Sequence, residues 1–386
     1  MRVCYDASRV AGVAVAVILE DPETGVRESM QAEKETIVVT GVSGNLGQRL
    51  LPHLDAFRVI GIDLRPPARE ANIDRFISMD FGEESSCRRL TDLIGEEKIR
   101  AIIHLAFVID PQRTGVLDVD RMFQINVSGV ARVMEAISVA NRYGAALSRF
   151  LFPSSVSAYG PETPGPVKED HPLGAHTLPY AIHKMESDKV VQFRADGLGE
   201  CTTYMLRPHI FTGASMQNYL VGALRGTPTG NGERGKKMRA EGKRLPMMLP
   251  FGDTYLGKLF QFVHVDDMAR LLAWLLKRKP EGNRLYILNV AGRGGPVTIE
   301  RAAQIANAKL VRVPRFAARI ILQKLWDWGI SGIPPEALPY MIGSYTMDCT
   351  RLKQMLGTDY EKVIQYTVEE ALADSFTEER MKAANS

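Results

Sequence analysis

Three side chains in the middle of this chain could together move a proton at a carbon–oxygen bond. Tyr180 and Lys184 stand four residues apart in the stretch PYAIHKMESDKVV, a helical segment opened by Pro179. Four residues are about one helical turn, so both side chains rise from one face. A phenol that must take up and return a proton near neutral pH is handicapped by its ordinary pKa of about 10. A neighbouring ammonium favours the phenolate and lowers that value, and it can also hold a ribose hydroxyl of a bound cofactor. Ser155, 25 residues upstream, could hydrogen-bond a substrate oxygen and orient it toward the phenol. A tyrosine–lysine pair at this offset carries little by itself. Of the twelve tyrosines, however, only Tyr180 has a lysine there, and it follows the pair Ser154-Ser155 that ends a strand-like run, Phe150 to Pro153.

The element that would position this chemistry is the stretch Thr36 to Leu50, TIVVTGVSGNLGQRL. Ile37, Val38 and Val39 form an apolar β-branched run suited to a parallel strand buried on both faces. Gly41, Gly44 and Gly47 follow at a spacing of three, and a helix opens with Leu46, Leu50 and Leu51 on one side. This reads as a strand, a tight turn and a helix whose free N–H groups face an anion. Gly41 allows the turn, Gly44 lets backbone approach a pyrophosphate, and Gly47 lets the helix pack close on the strand. A second strand, Phe57 to Leu64, reaches Asp63, 22 residues after Gly41. A dinucleotide fold places there the carboxylate that holds ribose hydroxyls; a helix cap or loop acid is the plainer reading. A carboxylate repels a 2′-phosphate, which favours NAD over NADP, although Arg65 could accept one.

Bulk properties narrow the class. The 386 residues allow one large or two modest domains. A 45% apolar and 24% charged composition is that of a globular protein with a full core. A net charge of +3 implies neither nucleic acid nor a membrane surface as partner. Four widely spaced cysteines without a CxxC pair point to a reducing compartment, with cytoplasm the default. The seven histidines show no metal-ligand spacing. The run Val10 to Leu19 is shorter than the roughly 20 residues that a membrane span needs. Acids rather than a cleavage site follow it, so residues 1–35 read as an appendage, with Val13 to Leu19 in a possible hairpin.

Further along, a third strand, Phe76 to Met79, ends at Asp80-Phe81, which is either the adenine neighbour or a turn. A helix over Cys87 to Ile94 precedes a fourth strand, Ala101 to Leu105, running on through Ala106 and Phe107; its His104 reads as a satisfied core histidine. Asp120 to Val139 has a helical period interrupted on its apolar side by Asn126, an amide expected to brace the catalytic loop. The alternation predicts a doubly wound parallel sheet. Tyr286 to Val290 reads as another strand and Thr298 to Ala306 as a capped helix. Arg225 to Arg244 holds seven basic residues and two acids; its glycines and lack of periodicity predict a solvated or mobile loop rather than a phosphate clamp. Phe316 to Trp328 is amphipathic and is expected to pack its aromatic side inward rather than lie on a membrane.

Taken in order, these motifs resemble an extended short-chain dehydrogenase/reductase of the NAD-dependent epimerase/dehydratase family. The residues that carry the resemblance are Thr40-Gly-Val-Ser-Gly44-Asn-Leu-Gly47, Asp63, Asp80-Phe81, His104-Leu-Ala106, Asn126-Val-Ser-Gly129, Ser154-Ser155, Tyr159-Gly160, Tyr180, Lys184, Leu206-Arg207-Pro208 and Phe262-Val-His-Val-Asp-Asp267. The resemblance implies a Rossmann-type doubly wound sheet over residues 36–208, completed by segments within about 260–293. A smaller substrate-binding cap would come from 209–259 and 294–375, with 376–386 as a tail. It implies NAD contacts from Gly41, Ser43, Gly44, Asn45, Leu46, Gly47, Asp63, Asp80, Phe81, Leu105, Ala106, Phe107, Asn126, Ser154, Tyr180, Lys184, Arg207, Pro208 and His209. Tyr180 would be general acid/base at a carbinol or ketone carbon, Ser155 would polarise the oxygen, and Lys184 would lower the tyrosine pKa. A homodimer through the helices around Asn126 to Ala140 and Tyr180 to Arg194 is the family expectation.

The departures bear on the substrate. Nucleotide-sugar members usually carry an arginine at the position of Phe260, followed here by Gln261, and the late Arg-x-Gly-Asp turn is not recognisable. His209-Ile210-Phe211 stands where many sugar epimerases place an asparagine, and Val156-Ser157 where dehydratases place two acids. Two outcomes stay open: an epimerase-type enzyme of a sugar-like substrate with tightly held NAD, or an NAD(P)-dependent dehydrogenase or reductase of a small non-nucleotide hydroxy or keto substrate. A non-catalytic dinucleotide scaffold is disfavoured, since such proteins commonly lose the tyrosine or the lysine.

Overall fold

The computed structural model describes residues 34–67, 72–109 and 118–377; the expected hairpin about Val13 to Leu19 and most of the tail lie outside them. The strand β1 (Thr36–Thr40) is central. On one side lie β2 (Arg58–Asp63) and β3 (Arg75–Ser78), and on the other β4 (Ala101–His104), β5 (Arg149–Pro153), β6 (Thr202–Pro208) and β7 (Leu285–Val290). The order is β7-β6-β5-β4-β1-β2-β3, and every pairing is parallel. The strand-to-helix alternation read from sequence thus closes into a seven-stranded doubly wound sheet.

The β1 side chains show why both faces must be covered. Ile37 and Val39 pack with Leu50, Met268 and Leu272, whereas Val38 packs with Leu90, Val133 and Ile137 in the opposite layer. All three β1 residues are fully buried. One layer holds α1 (Asn45–Leu50) and the helix Val265–Lys277; the other holds α2 (Ser85–Glu96), α3 (Gly129–Arg142) and the inward edge of α4 (Pro179–Arg194).

The single helix expected over Asp120 to Val139 is broken by a π-helical turn, Gln124–Ser128, between Val119–Phe123 and α3. The cause is Asn126. Its Oδ1 accepts from the Val108 N–H at 2.7 Å and its Nδ2 donates to the Val108 carbonyl at 3.0 Å. A helix that must aim a buried amide at a neighbouring loop widens locally to do so.

The cap is built from short two-stranded pieces, among them Ile210–Thr212 with Phe262–His264 and Met247–Pro250 with Leu310–Val313. Two expectations hold only in part here. The segment from Arg225 to Arg244 is not an irregular loop: it contains the helix Glu233–Ala240, largely exposed to solvent but entered through backbone bonds from Gly230 and Gly232 to Ile330 and Gly329. A Cβ added at Gly230 would lie 2.3 Å from the Gly329 carbonyl oxygen, and one at Gly235 2.5 Å from it. Those glycines are points of close backbone contact rather than slack. The helix Arg315–Asp327 turns Ala318 and Leu322 inward; of the aromatic residues, Trp326 is half-buried, Phe316 is 73% exposed and Trp328, just past the helix end, 49%. Its inward stripe is set by Ala318 and Leu322, four apart. Among the described residues, no helix is long and apolar enough to cross a membrane.

Candidate active site

A cavity of about 730 Å³ runs from the glycine bend into the cap. Its Rossmann wall includes Gly41, Gly44, Asn45, Leu46, Gly47, His104, Leu105 and Phe107. Gly41 has a φ of +66°, and a Cβ there would lie 2.6 Å from the Ala106 nitrogen. A Cβ at Gly47 would lie 2.6 Å from the Val42 carbonyl oxygen. Glycine is therefore required at both positions for backbone to pack on backbone, and Gly41, Gly44 and Gly47 all border the cavity, where a pyrophosphate would fit. Asp63 sits at the end of β2, half-buried, and accepts from the Ser43 N–H at 3.0 Å and the Leu64 N–H at 2.7 Å. A carboxylate has about four acceptor sites, so this geometry retains capacity for a ribose hydroxyl.

Tyr180, Ser155 and Lys184 come together on the same wall, beside Ser154. Ser155 caps the short turn Val156–Tyr159, where its Oγ accepts from the Ser157 N–H and the Ser157 hydroxyl. Its own proton is thus free for a further acceptor, and its interaction with the Tyr180 hydroxyl favours the phenolate. Lys184 is buried; its Nζ donates to the Pro153 carbonyl at 2.7 Å and lies 3.6 Å from the centre of the Phe107 ring. Here the tuning differs from that expected. Desolvation raises the Tyr180 pKa, opposed only by the Ser155 bond. The same desolvation pushes Lys184 down to about 7, with Asp188 resisting. An ammonium occupied by a carbonyl and an aromatic face does little for the phenol one turn away.

The other sequence candidates divide. Pro208 and His209 line the cavity, but Ser43, Asp63, Asp80, Phe81, Ala106, Asn126 and Arg207 do not. Asp80 pairs with Arg121 at 2.5 Å and accepts from the Gly82 N–H, while Phe81 meets His104 edge-on. Asn126 braces the Val108 backbone beyond β4 rather than the Ser155 turn, and approaches His183 at 3.3 Å. Arg207 is wholly buried and bound through Nε and Nη2 to Asp188, so its place is behind the wall. His209 stacks on Tyr345 and bonds its carbonyl; burial takes its imidazole down to about 4, leaving it neutral. His104 is only half satisfied: Nδ1 meets Thr40 at 2.7 Å, Nε2 is buried without a partner, and its pKa falls to about 3.

Sequence reading missed Asp188, although the spacing Tyr180, Lys184, Asp188 is a helical stripe that could have announced it. It also missed the cap wall, which Ile333, Tyr340, Met341 and Tyr345 supply with no local signal. The expected absence of an arginine clamp has a structural counterpart. Phe260 is fully buried against Tyr345, and the Gln261 amide is taken up by the Met347 backbone.

The fold is shared with solved enzymes. A UDP-glucuronic acid 4-epimerase from Bacillus cereus, in complex with UDP-glucuronic acid and NAD, superposes with a TM-score of 0.60 at 19% identity, covering 90% of this chain and 99% of that one. The Bordetella bronchiseptica enzyme WbmH, in complex with NAD+, gives 0.60 at 17% identity, covering 89% and 97%. In sequence, a UDP-glucose 4-epimerase from Erwinia amylovora is 26% identical over 279 residues, covering 67% of this chain and 79% of that protein. The profile of the NAD dependent epimerase/dehydratase family matches residues 37–291, well over half of the chain, and this chain belongs to that family.

Proposed function

We propose that the chain binds NAD along the glycine bend and acts as an epimerase-type oxidoreductase on a secondary alcohol or ketone carbon of a sugar-like substrate. The observation that carries this reading is the convergence of Tyr180, Ser155 and Lys184 on a cavity that the glycine bend also lines. Bound there, NAD supplies a hydride acceptor and donor. The chain supplies the proton. As phenolate, Tyr180 would take the proton of the substrate hydroxyl while hydride leaves the carbon, and, once protonated, would return it to the carbonyl oxygen when hydride comes back; Ser155 would donate to the same oxygen and hold it in line. Lys184 and Asp63 would take the cofactor's ribose hydroxyls, which favours NAD over NADP. The similarity to UDP-glucose and UDP-glucuronic acid epimerases supports a sugar nucleotide as substrate. Burial of Phe260 supports the second reading, a dehydrogenase or reductase of a small non-nucleotide substrate. We further place the protein in the cytoplasm as a homodimer.

Mass spectrometry of small molecules released from the purified protein separates the two: retained NAD fits the epimerase, an empty site the reductase. Tyr180→Phe should keep NAD while turnover falls by about two to four orders of magnitude. Turnover close to wild type in that variant rejects Tyr180 as the proton carrier.

A further inference from the structure

Among the described residues, the cavity wall carries three basic side chains, Lys184, Arg225 and Arg239, and no carboxylate. Lys184 belongs to the catalytic group; the two arginines come from the segment expected to be a loop, Arg225 at its start and Arg239 within it. Most other cations of that segment are spoken for: Lys236 pairs with Glu233, Lys237 and Lys243 with Glu241, and Arg234 lies over the Trp328 ring. The cavity arginines instead hold main-chain carbonyls. Arg225 donates to Ser375, Met216 and Ala214 oxygens, and burial lowers its pKa. Arg239 donates through Nη1 to the Pro228 and Gly230 oxygens at 2.8 and 2.7 Å. Carbonyls orient a guanidinium without neutralising it, so each wall arginine retains its charge for a ligand. The glycine contacts with Gly329 hold the supporting backbone, so the Arg239 fork is fixed before any ligand arrives.

We infer that Arg239, backed by Arg225, grips a phosphoryl group on the substrate, supplying from segment 225–244 the anion contact that Phe260 cannot make. A fixed guanidinium presents parallel N–H donors matched to phosphoryl oxygens. The inference rests on the proposed reading of the site and narrows its substrate to one bearing a phosphate or diphosphate. The choice between a nucleoside diphosphate and a bare phosphoryl group is left to the probes.

The test is calorimetric titration of the NAD-loaded protein with UDP and with inorganic pyrophosphate. Binding of either should weaken by about tenfold or more in Arg239→Gln, whose amide can still donate to a carbonyl. It should weaken less in Arg239→Lys, and not at all in Lys236→Gln, a cation outside the cavity. Binding of UDP alone makes the nucleoside part of the recognised group; binding of pyrophosphate as well makes the phosphoryl oxygens sufficient. Equal affinity in wild type and Arg239→Gln overturns the inference, as does binding of neither probe or equal loss in Lys236→Gln. If Arg239→Gln proves unstable, Arg239→Lys decides: unchanged affinity there, with unchanged salt dependence, also overturns it. These outcomes leave the Tyr180→Phe result untouched, so the clamp can fail while the catalytic reading stands.

Discussion

Lys184 is the residue at which spacing and environment pull in different directions. The four-residue offset from Tyr180 was legible in the chain, because a helix repeats its faces whatever surrounds it. The burial that shifts both groups was not, because Phe107, Phe152 and Pro153 come from other strands and close over the amine only in the folded sheet. The shift has a consequence for stability. Lys184 falls from 10.5 to about 7, so between those values it is neutral when folded and charged when unfolded. The unfolded state then binds more protons, and stability rises with pH across that window. Below about pH 7 both states are charged and the full desolvation cost is borne. Replacing Lys184 by Met removes the titration; the lost bond to Pro153 adds only a pH-independent offset. Relative to that variant, the wild type should therefore gain unfolding free energy steadily from about pH 7 toward 10.5. Parallel melting curves over a pH series measure it, and a constant difference between the two proteins contradicts the assigned burial.

At the scale of elements, the question is what holds α4 and the Ser155 turn in register. Asp188 lies one turn beyond Lys184, and it takes Arg207 through two bonds of 2.8 Å and the Ser154 hydroxyl at 2.7 Å. Arg207 in turn reaches the Tyr159 hydroxyl and the Glu169 carbonyl, so β5, β6 and α4 meet at a single buried ion pair. Removing one partner of such a pair leaves a charge without water or counter-ion, at about 3–5 kcal/mol. Asp188→Asn should lose about 3 kcal/mol or more in urea denaturation; a loss below about 1 kcal/mol would mean that Arg207 finds another acceptor. The network explains an uneven legibility. Strands β1, β2, β4 and β5 announced themselves because burial on both faces demands unbroken apolar runs. The π turn at Asn126 did not, since its cause is a loop 18 residues upstream. Nor did the docked segment at Gly230, where a contact partner 99 residues away, Gly329, makes glycine a packing residue.

For the whole molecule, the sheet was readable from local pattern, while the cap, assembled from short pieces far apart in the chain, was not. Among the exposed apolar side chains, two lie on neighbouring helices of the sheet layer. Helices α3 and α4 lie side by side on the outer face, joined by Arg194 and Glu135 at 2.6 Å. Near their ends Tyr143 is 88% exposed and Phe193 87% exposed. Two large aromatic side chains in water on adjacent helices are a substantial apolar loss for a single copy. A second copy applied by a two-fold axis would cover both at once, since such an interface presents the same patch twice. It would also stiffen α4, which carries Tyr180 and Lys184 on its other side. Light scattering on eluting protein should then give a dimer, and Phe193→Asp, which places a charge where the patch is buried, should shift it to monomer without loss of bound NAD. A wild-type protein that elutes as a monomer at micromolar concentration removes the two-fold interface. A Phe193→Asp protein that stays dimeric moves it away from these two helices.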